Sequence, residues 1–508
     1  MKDRYDELIR RLAEIHDVRM GRAILSWDQH TKMPAKGGEA RAEQLSTLDR
    51  IAHELFVADE VGELLEELRP YEESLDYDSD EASLLRITRR DYEKARRIPT
   101  DLRAEMTRAG AVALPIWVEA RQNSDFKRFL PYLERNVDLQ RQYVACFDKG
   151  EHDYDILLDD FDEGMTTTEV RAVFDELKAE LIPLIAEITD NADTVDDACL
   201  RQTFPIEQQR AFALEVLHQL GFEDDSWRLD PTVHPFAMSA SITDIRLTTR
   251  YDEHDLNSFF AAVHEFGHGF YENGIASRLE RTPLAQVTSM SLHESQSRMW
   301  ENLVGRGLPF WRYFHPRIQA TFPEQFGNVE LDELYRAINK VEPSFIRIEA
   351  DEATYNLHII LRFELEQEIL DGSLELSDLP EAWNARMTEY LGVDVPDDAH
   401  GVLQDVHWSG GAIGYFPTYS LGNVISVQLW EQVQAALPDL DSQFERGDFG
   451  DLAAWLRENL HQHGRKFTSK EMLERIVGGG MDPGPYLRYL KDKLGGIYGV
   501  RTPTGATA

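Results

Sequence analysis

The stretch Phe259-Phe260-Ala261-Ala262-Val263-His264-Glu265-Phe266-Gly267-His268-Gly269-Phe270-Tyr271 decides how the rest of the chain is read. Its apolar flanks mark a buried helix. Helical residues four apart lie on one face, one turn above each other. His264 and His268 therefore present two imidazoles together, and such a pair can hold one Zn²⁺ at about 2.0–2.1 Å. Glu265, between them, can reach a water acidified by the metal and take its proton. The bland alternative is a helix whose two histidines merely fill polar gaps. A third ligand argues against it, because a catalytic zinc takes three protein ligands and keeps one position open. Thirty residues after His264, in His293-Glu294-Ser295-Gln296-Ser297, Glu294 supplies a carboxylate from the next helix. His293 competes for the role, since adjacent helical positions cannot both face one ion.

Outward from this motif the helical period dominates. Tyr5, Leu8, Ile9, Leu12 and Ile15 form one amphipathic face. Similar patterns recur at Leu102–Ala120, Tyr132–Phe147, Thr168–Ile188, Glu207–Leu220 and Tyr355–Ile369. Strand-like alternation is confined to a short piece around Ile242–Thr249, rich in β-branched residues. Polar, turn-rich stretches at Glu72–Glu81, Thr189–Asp197 and Asp394–His400 read as surface loops. There is no internal repeat. The expected fold is mainly α, with one small β-sheet element. Residues 1–500 are expected to form a single catalytic unit, followed by a frayed tail at 501–508.

Composition narrows the setting. Of 508 residues, 42% are hydrophobic, which is ample for a large core. Asp and Glu number 92 against 53 Lys and Arg, a formal net charge of −39. That sign argues against nucleic acid and anionic membrane as partners. With 9 Trp, 18 Tyr and 24 Phe the chain is too aromatic to be an acidic disordered segment. The acidity then reads as solvated surface. With arginine outnumbering lysine, it resembles the surface of proteins adapted to a salt-rich (halophilic) cytoplasm, where counterions screen self-repulsion, against the plainer alternative of an acidic mesophilic protein. Cys146 and Cys199 stand alone, outside any metal-binding spacing, which fits a reducing compartment. No run of about 18 apolar residues occurs, and the charged N-terminus lacks a signal-peptide core. The expected location is cytoplasmic.

His264–His268 followed by His293–Ser297 resembles the thermostable carboxypeptidase Taq family of metallocarboxypeptidases. Other blocks agree: His234-Pro235-Phe236, Asp244-Ile245-Arg246-Leu247-Thr248, Ile346-Arg347-Ile348-Glu349-Ala350-Asp351, and Gly401-Val402-Leu403-Gln404-Asp405-Val406-His407-Trp408. Near the start, Trp27-Asp28-Gln29 and Met33-Pro34 also match, although His30 stands where the family pattern has Glu. The resemblance implies a large helical zinc-peptidase fold with a deep substrate groove, paired as a homodimer. It implies release of C-terminal amino acids from peptides with broad side-chain tolerance. It implies Zn²⁺, with Co²⁺ as a possible replacement.

Within that reading, Glu265 is the general base and later the acid. A carboxypeptidase must also recognise a free α-carboxylate, for which the planar arginine fork is suited. Arg347, Arg246 and Arg250 are the candidates, and the resemblance favours Arg347; the alternative is a structural ion pair with Glu349, Asp351 or Glu352. The oxyanion of the tetrahedral intermediate needs donors. Tyr419 and His407 are the leading candidates, followed by Tyr415, in a segment similar to the His-and-Tyr segments of related helical zinc peptidases. His234 is expected to line the substrate groove, with a packed core histidine as the close alternative, and Asp405 to orient His407 or a ligating histidine, with helix capping as the equal alternative. Two other readings compete: an oligopeptide endopeptidase of the related helical zinc class, indifferent to the peptide's terminal carboxylate, and a non-catalytic peptide-binding scaffold.

Overall fold

The structure is a computed structural model and describes residues 1–148 and 150–500. The expected tail at 501–508 lies outside the described residues. Helices dominate, as the periodicity predicts. The helical stretches read from sequence correspond to helices Lys2–Thr31, Thr100–Asn123, Phe126–Val144, Thr167–Thr189, Ile206–Leu220 and Tyr355–Asp371. Boundaries follow local chemistry. Thr166 opens its helix with a capping box, its hydroxyl accepting from the Glu169 backbone while Glu169 reaches back.

The chain divides into two compact units, each assembled from separated stretches. The first comprises Met1–Arg96, Ala198–Tyr335 and Leu429–Gly480. The second comprises Arg97–Asp197, Arg336–Gln428 and the segment from Met481 onward.

The first unit carries the motif helix, Asn257–Gly274, on a three-stranded sheet. Strands β1 (Trp227–Pro231), β2 (Ala237–Ser241) and β3 (Asp244–Thr249) lie in the order β1-β3-β2. β1 runs parallel to β3 and β2 antiparallel. Only β3 was expected. β2 reads Ala-Met-Ser-Ala-Ser and has no β-branched residue, and β1 alternates poorly, so pairing with β3 rather than propensity makes them strands. Ile245 and Leu247 of β3 are fully buried against the motif helix. A Cβ on Gly269 would lie 2.6 Å from the Ile245 side chain and 2.7 Å from the Trp227 ring. The bare glycine is what lets helix and sheet meet. Phe266 stacks on Trp227 and Phe270, and meets Trp300 edge-on. Elsewhere in this unit Leu8, Leu12 and Ile15 of the N-terminal helix pack with Val61, Leu65 and Leu85.

In the second unit the helix Tyr355–Asp371 is buried on almost every side, its apolar residues running Leu357, Ile359, Ile360, Leu361, Phe363, Leu365. Phe363 receives the edges of Tyr154 and Phe174. Cys146 and Cys199 form no disulfide.

Gly269→Ala is expected to destabilise the protein by about 1–3 kcal/mol through overpacking against the sheet. A lowered denaturant midpoint with an unchanged slope would show it.

Candidate metal centre

The motif helix begins where Asp255 accepts a hydrogen bond from the Asn257 backbone, 2.8 Å. Its two imidazoles stand with ring centroids 4.9 Å apart. The helix Met290–Arg298 is started by Ser289, whose hydroxyl accepts from the Leu292 backbone. It crosses the motif helix so closely that a Cβ on Gly267 would lie 2.5 Å from the Gln296 carbonyl oxygen. Glycine inside the histidine motif thus sets the approach that delivers Glu294. One oxygen of that carboxylate, Oε2, stands 3.4 Å from Nε2 of His268 and 3.7 Å from Nε2 of His264. Two ligands about 2.1 Å from one tetrahedral ion sit about 3.4 Å apart, so this donor set fits a divalent metal. Among the described residues no other group of His, Cys, Asp and Glu converges this way.

The orientation of each donor has a cause. Nδ1 of His264 donates to Oε2 of Glu301, 2.9 Å, which leaves the Nε2 lone pair facing Glu294. Arg298, one turn after Glu294, donates to its Oε1 at 2.7 Å, turning Oε2 toward the rings. Arg298 and Arg306 also flank Glu301, at 3.4 and 3.3 Å. Glu301 sits in a π-helical segment, Met299–Val304, a feature frequent at functional sites. His293 turns away to Glu272, 3.1 Å, and its ring lies tilted against His268 with centroids 4.1 Å apart. The competing ligand read from sequence is therefore committed elsewhere.

The buried setting perturbs every group. Burial, with His293 beside it, pulls the His268 imidazole down to about 3, so it is neutral and able to ligate. Burial pulls His264 down too, but Glu294 and Glu301 outweigh it and raise the ring. Burial would raise Glu294; Arg298 and the two histidines hold it well below the usual carboxylate range. Burial pushes Glu265 up to about 7 against the pull of His264.

The remaining candidates fall in two places. In the first unit, Arg246 is held bidentate by Asp244 at 2.8 and 2.9 Å and lies over Trp27. Its fork is thereby occupied. Arg250 and His234 are exposed. His30, the departure from the family pattern, meets Phe236 of the His234-Pro235-Phe236 block edge-on. In the second unit, Arg347 is 5% exposed and donates through Nε and Nη2 to Oδ1 of Asp405, at 3.0 and 2.7 Å. The acids nearer in sequence do not take it: Asp351 binds the backbone and hydroxyl of Thr354, and Glu352 pairs with Lys493. Asp405 stands 3.8 Å from Nδ1 of His407, too far for a hydrogen bond, because two arginines hold its oxygens. His407 instead meets the Tyr419 hydroxyl at 3.2 Å and stacks on Tyr415.

Sequence reasoning passed over Glu301, Arg298 and Arg362. The first two were findable, since positions four and seven after Glu294 share its helical face.

Fold and site together define a helical metallopeptidase. The profile of the carboxypeptidase Taq (M32) metallopeptidase family matches residues 7–494, and the chain belongs to that family. Thermostable carboxypeptidase 1 of Thermus thermophilus is 41% identical over 488 residues, covering 94% of this chain and 95% of the relative. Carboxypeptidase 1 of Bacillus subtilis is 38% identical over 477 residues, again covering 94% and 95%. The crystal structure of the M32 carboxypeptidase of Deinococcus radiodurans superposes with a TM-score of 0.94 at 40% identity, covering 98% of this chain and 100% of that one. The protein is a metal-dependent carboxypeptidase, and these relatives support that reading over the endopeptidase one.

Glu301→Gln is expected to weaken metal binding by about 10- to 100-fold, the usual effect of losing a carboxylate behind a ligating histidine. Competition with a chelating dye measures it without reference to turnover.

Proposed function

We propose that the chain, acting through residues 1–500 as one catalytic unit, removes C-terminal residues from peptides one at a time with broad side-chain tolerance. The observation that carries this reading is the convergence of His264, His268 and Glu294 on one point, with Glu265 next to the first ligand. A divalent ion held by these three residues supplies Lewis acidity, which makes water acidic enough to ionise near neutral pH and polarises a carbonyl. Zinc suits two imidazoles and a carboxylate, and cobalt takes the same donors.

The protein's own groups do the rest. Glu265 accepts a proton from the attacking water and returns it to the departing amine, so one side chain serves as base and then acid. Arg347 receives the peptide's terminal carboxylate. Its Nη1 is held by the Tyr355 hydroxyl at 2.8 Å, which fixes the plane of the fork. Tyr419 and His407, already hydrogen-bonded to each other, are the donors offered to the oxyanion, with Tyr415 behind them. His234 is assigned to the substrate-binding surface. Arg246, paired with Asp244, is the weaker candidate for the carboxylate, because the family resemblance favours Arg347.

We further read the enzyme as a cytoplasmic, halophilic homodimer that binds neither nucleic acid nor membrane. The acidic excess and the two cysteines outside any disulfide support the setting. Among the described residues, no helix is long and apolar enough to cross a membrane.

A timed mass-spectrometric digest of a defined peptide tests the activity. Products are expected to shorten by single residues from the C-terminus and to stop with chelator. Amidating the terminal carboxylate should protect the peptide, and Glu265→Gln should abolish turnover while still binding metal. First cleavage at an internal bond would sink the exopeptidase reading. The salt-adapted surface makes a separate prediction. Raising KCl from about 0.1 M to about 1 M shortens the screening length from about 10 to about 3 Å. The melting temperature should rise accordingly, and a fall would contradict the halophilic reading.

A further inference from the structure

The helix Tyr355–Asp371 carries three ionisable residues with no exposed surface, His358, Arg362 and Glu366. They are spaced by four, so they line one face of a helix whose other buried residues are mostly apolar. Burying a charge costs several kcal/mol per ion, by order of magnitude, unless partners compensate it. Here most of the partners lie in one segment, residues 405–414, with Tyr154 outside it. Glu366 accepts from Trp408 Nε1 at 2.8 Å and from the Gly414 backbone at 3.0 Å, and from the Tyr154 hydroxyl at 2.6 Å. Arg362 approaches Oδ2 of Asp405 through Nε at 2.7 Å and Nη2 at 2.6 Å, and its Nη1 donates to the His358 carbonyl. The stripe therefore grips the segment that contains His407 at Asp405, Trp408 and Gly414. Gly414, at φ +94°, packs against Leu157, where a side chain would collide.

The charges on this cluster do not cancel. Asp405 lies between two guanidiniums, Arg347 on Oδ1 and Arg362 on Oδ2. Two positive charges against one negative leave a surplus of one. The histidines nearby add nothing at neutral pH. Burial pulls His358 well below its ordinary value and His407 down to about 4. Glu366 has its two oxygens engaged by the three neutral donors, and burial pushes it up to about 7, so at neutral pH it is only partly ionised and reduces the surplus without cancelling it.

We propose that Arg362 is a positioning residue for the substrate's carboxylate. By engaging Oδ2 of Asp405 it keeps that acid from fully neutralising Arg347, and the remaining positive charge receives the peptide's C-terminus. This rests on Arg347 as the carboxylate-binding group.

Steady-state kinetics of the metal-loaded enzyme on a peptide with a free C-terminus tests it. Arg362→Met should raise KM by at least about tenfold, the scale for disrupting a buried charge cluster. Over the same change kcat should stay within about threefold. Adding Asp405→Asn to Arg362→Met restores the surplus charge, and KM should return to within about threefold of the parent enzyme. A packing role predicts the opposite, a further loss with the second buried substitution. Arg362→Lys keeps the charge and should leave KM nearly unchanged; should Arg362→Met not fold, Arg362→Lys against Arg362→Gln carries the same contrast. An unchanged KM in Arg362→Met, no recovery in the double variant, or a raised KM in Arg362→Lys overturns the proposal. Arg347→Met separates the two layers. If it raises KM while Arg362→Met does not, the role of Arg347 stands and that of Arg362 falls. If it leaves KM unchanged, both fall.

Discussion

One carboxylate oxygen, Oε2 of Glu294, has to face two imidazole nitrogens at once, and much of the first unit is arranged around that requirement. The two helices that bring these groups together could not approach closely enough with any side chain at Gly267. The motif helix could not rest on its sheet with one at Gly269. Once the helices are this close, the donors need a fixed direction. Arg298 supplies it for the carboxylate and Glu301 for the first imidazole. Each of these supporting charges is itself buried, so each is paired in turn, which is why the polar shell extends to Arg306.

The second unit solves a different problem with the same materials. A metal centre calls for negative and neutral donors around a cation. Arg347, proposed to receive the peptide's carboxylate, would have to be a cation that is held still yet not extinguished. Asp405 holds Arg347 through one oxygen, while its other oxygen faces Arg362. Removing water from such groups strengthens their interaction with a ligand only when they are already oriented, because reorienting charge inside a protein is slow and costly.

How far the chain could be read in advance depended on the distance over which each signal acts. The helices were legible because their period repeats within a few residues. The paired histidines and the carboxylate between them were legible for the same reason. Glu294 required the chemistry of zinc ligation in addition to spacing. Strands β1 and β2 were not legible, since their extended state comes from hydrogen bonds to β3 rather than from their own residues. Asp405 was expected to serve a histidine. It serves two arginines instead, one of them 43 residues away in sequence, and no local pattern records such a pairing. The lone arginine in the run Leu357–Leu365 was a clue of another kind, a charge where the period demanded an apolar side chain.

The division of the chain into interleaved stretches bears on how the molecule is made. The backbone passes from one unit to the other after Arg96, Asp197, Tyr335, Gln428 and Gly480. The first unit is not complete until Leu429–Gly480 has left the ribosome, although both histidines of its motif have by then been waiting for more than a hundred and fifty residues. At about 5–20 residues per second of synthesis, that interval lasts on the order of ten seconds or more. During it the apolar flanks of the motif helix lack part of their final cover, such as His461 against Phe270 and Tyr271, so that surface stays open until the last stretch of the unit arrives.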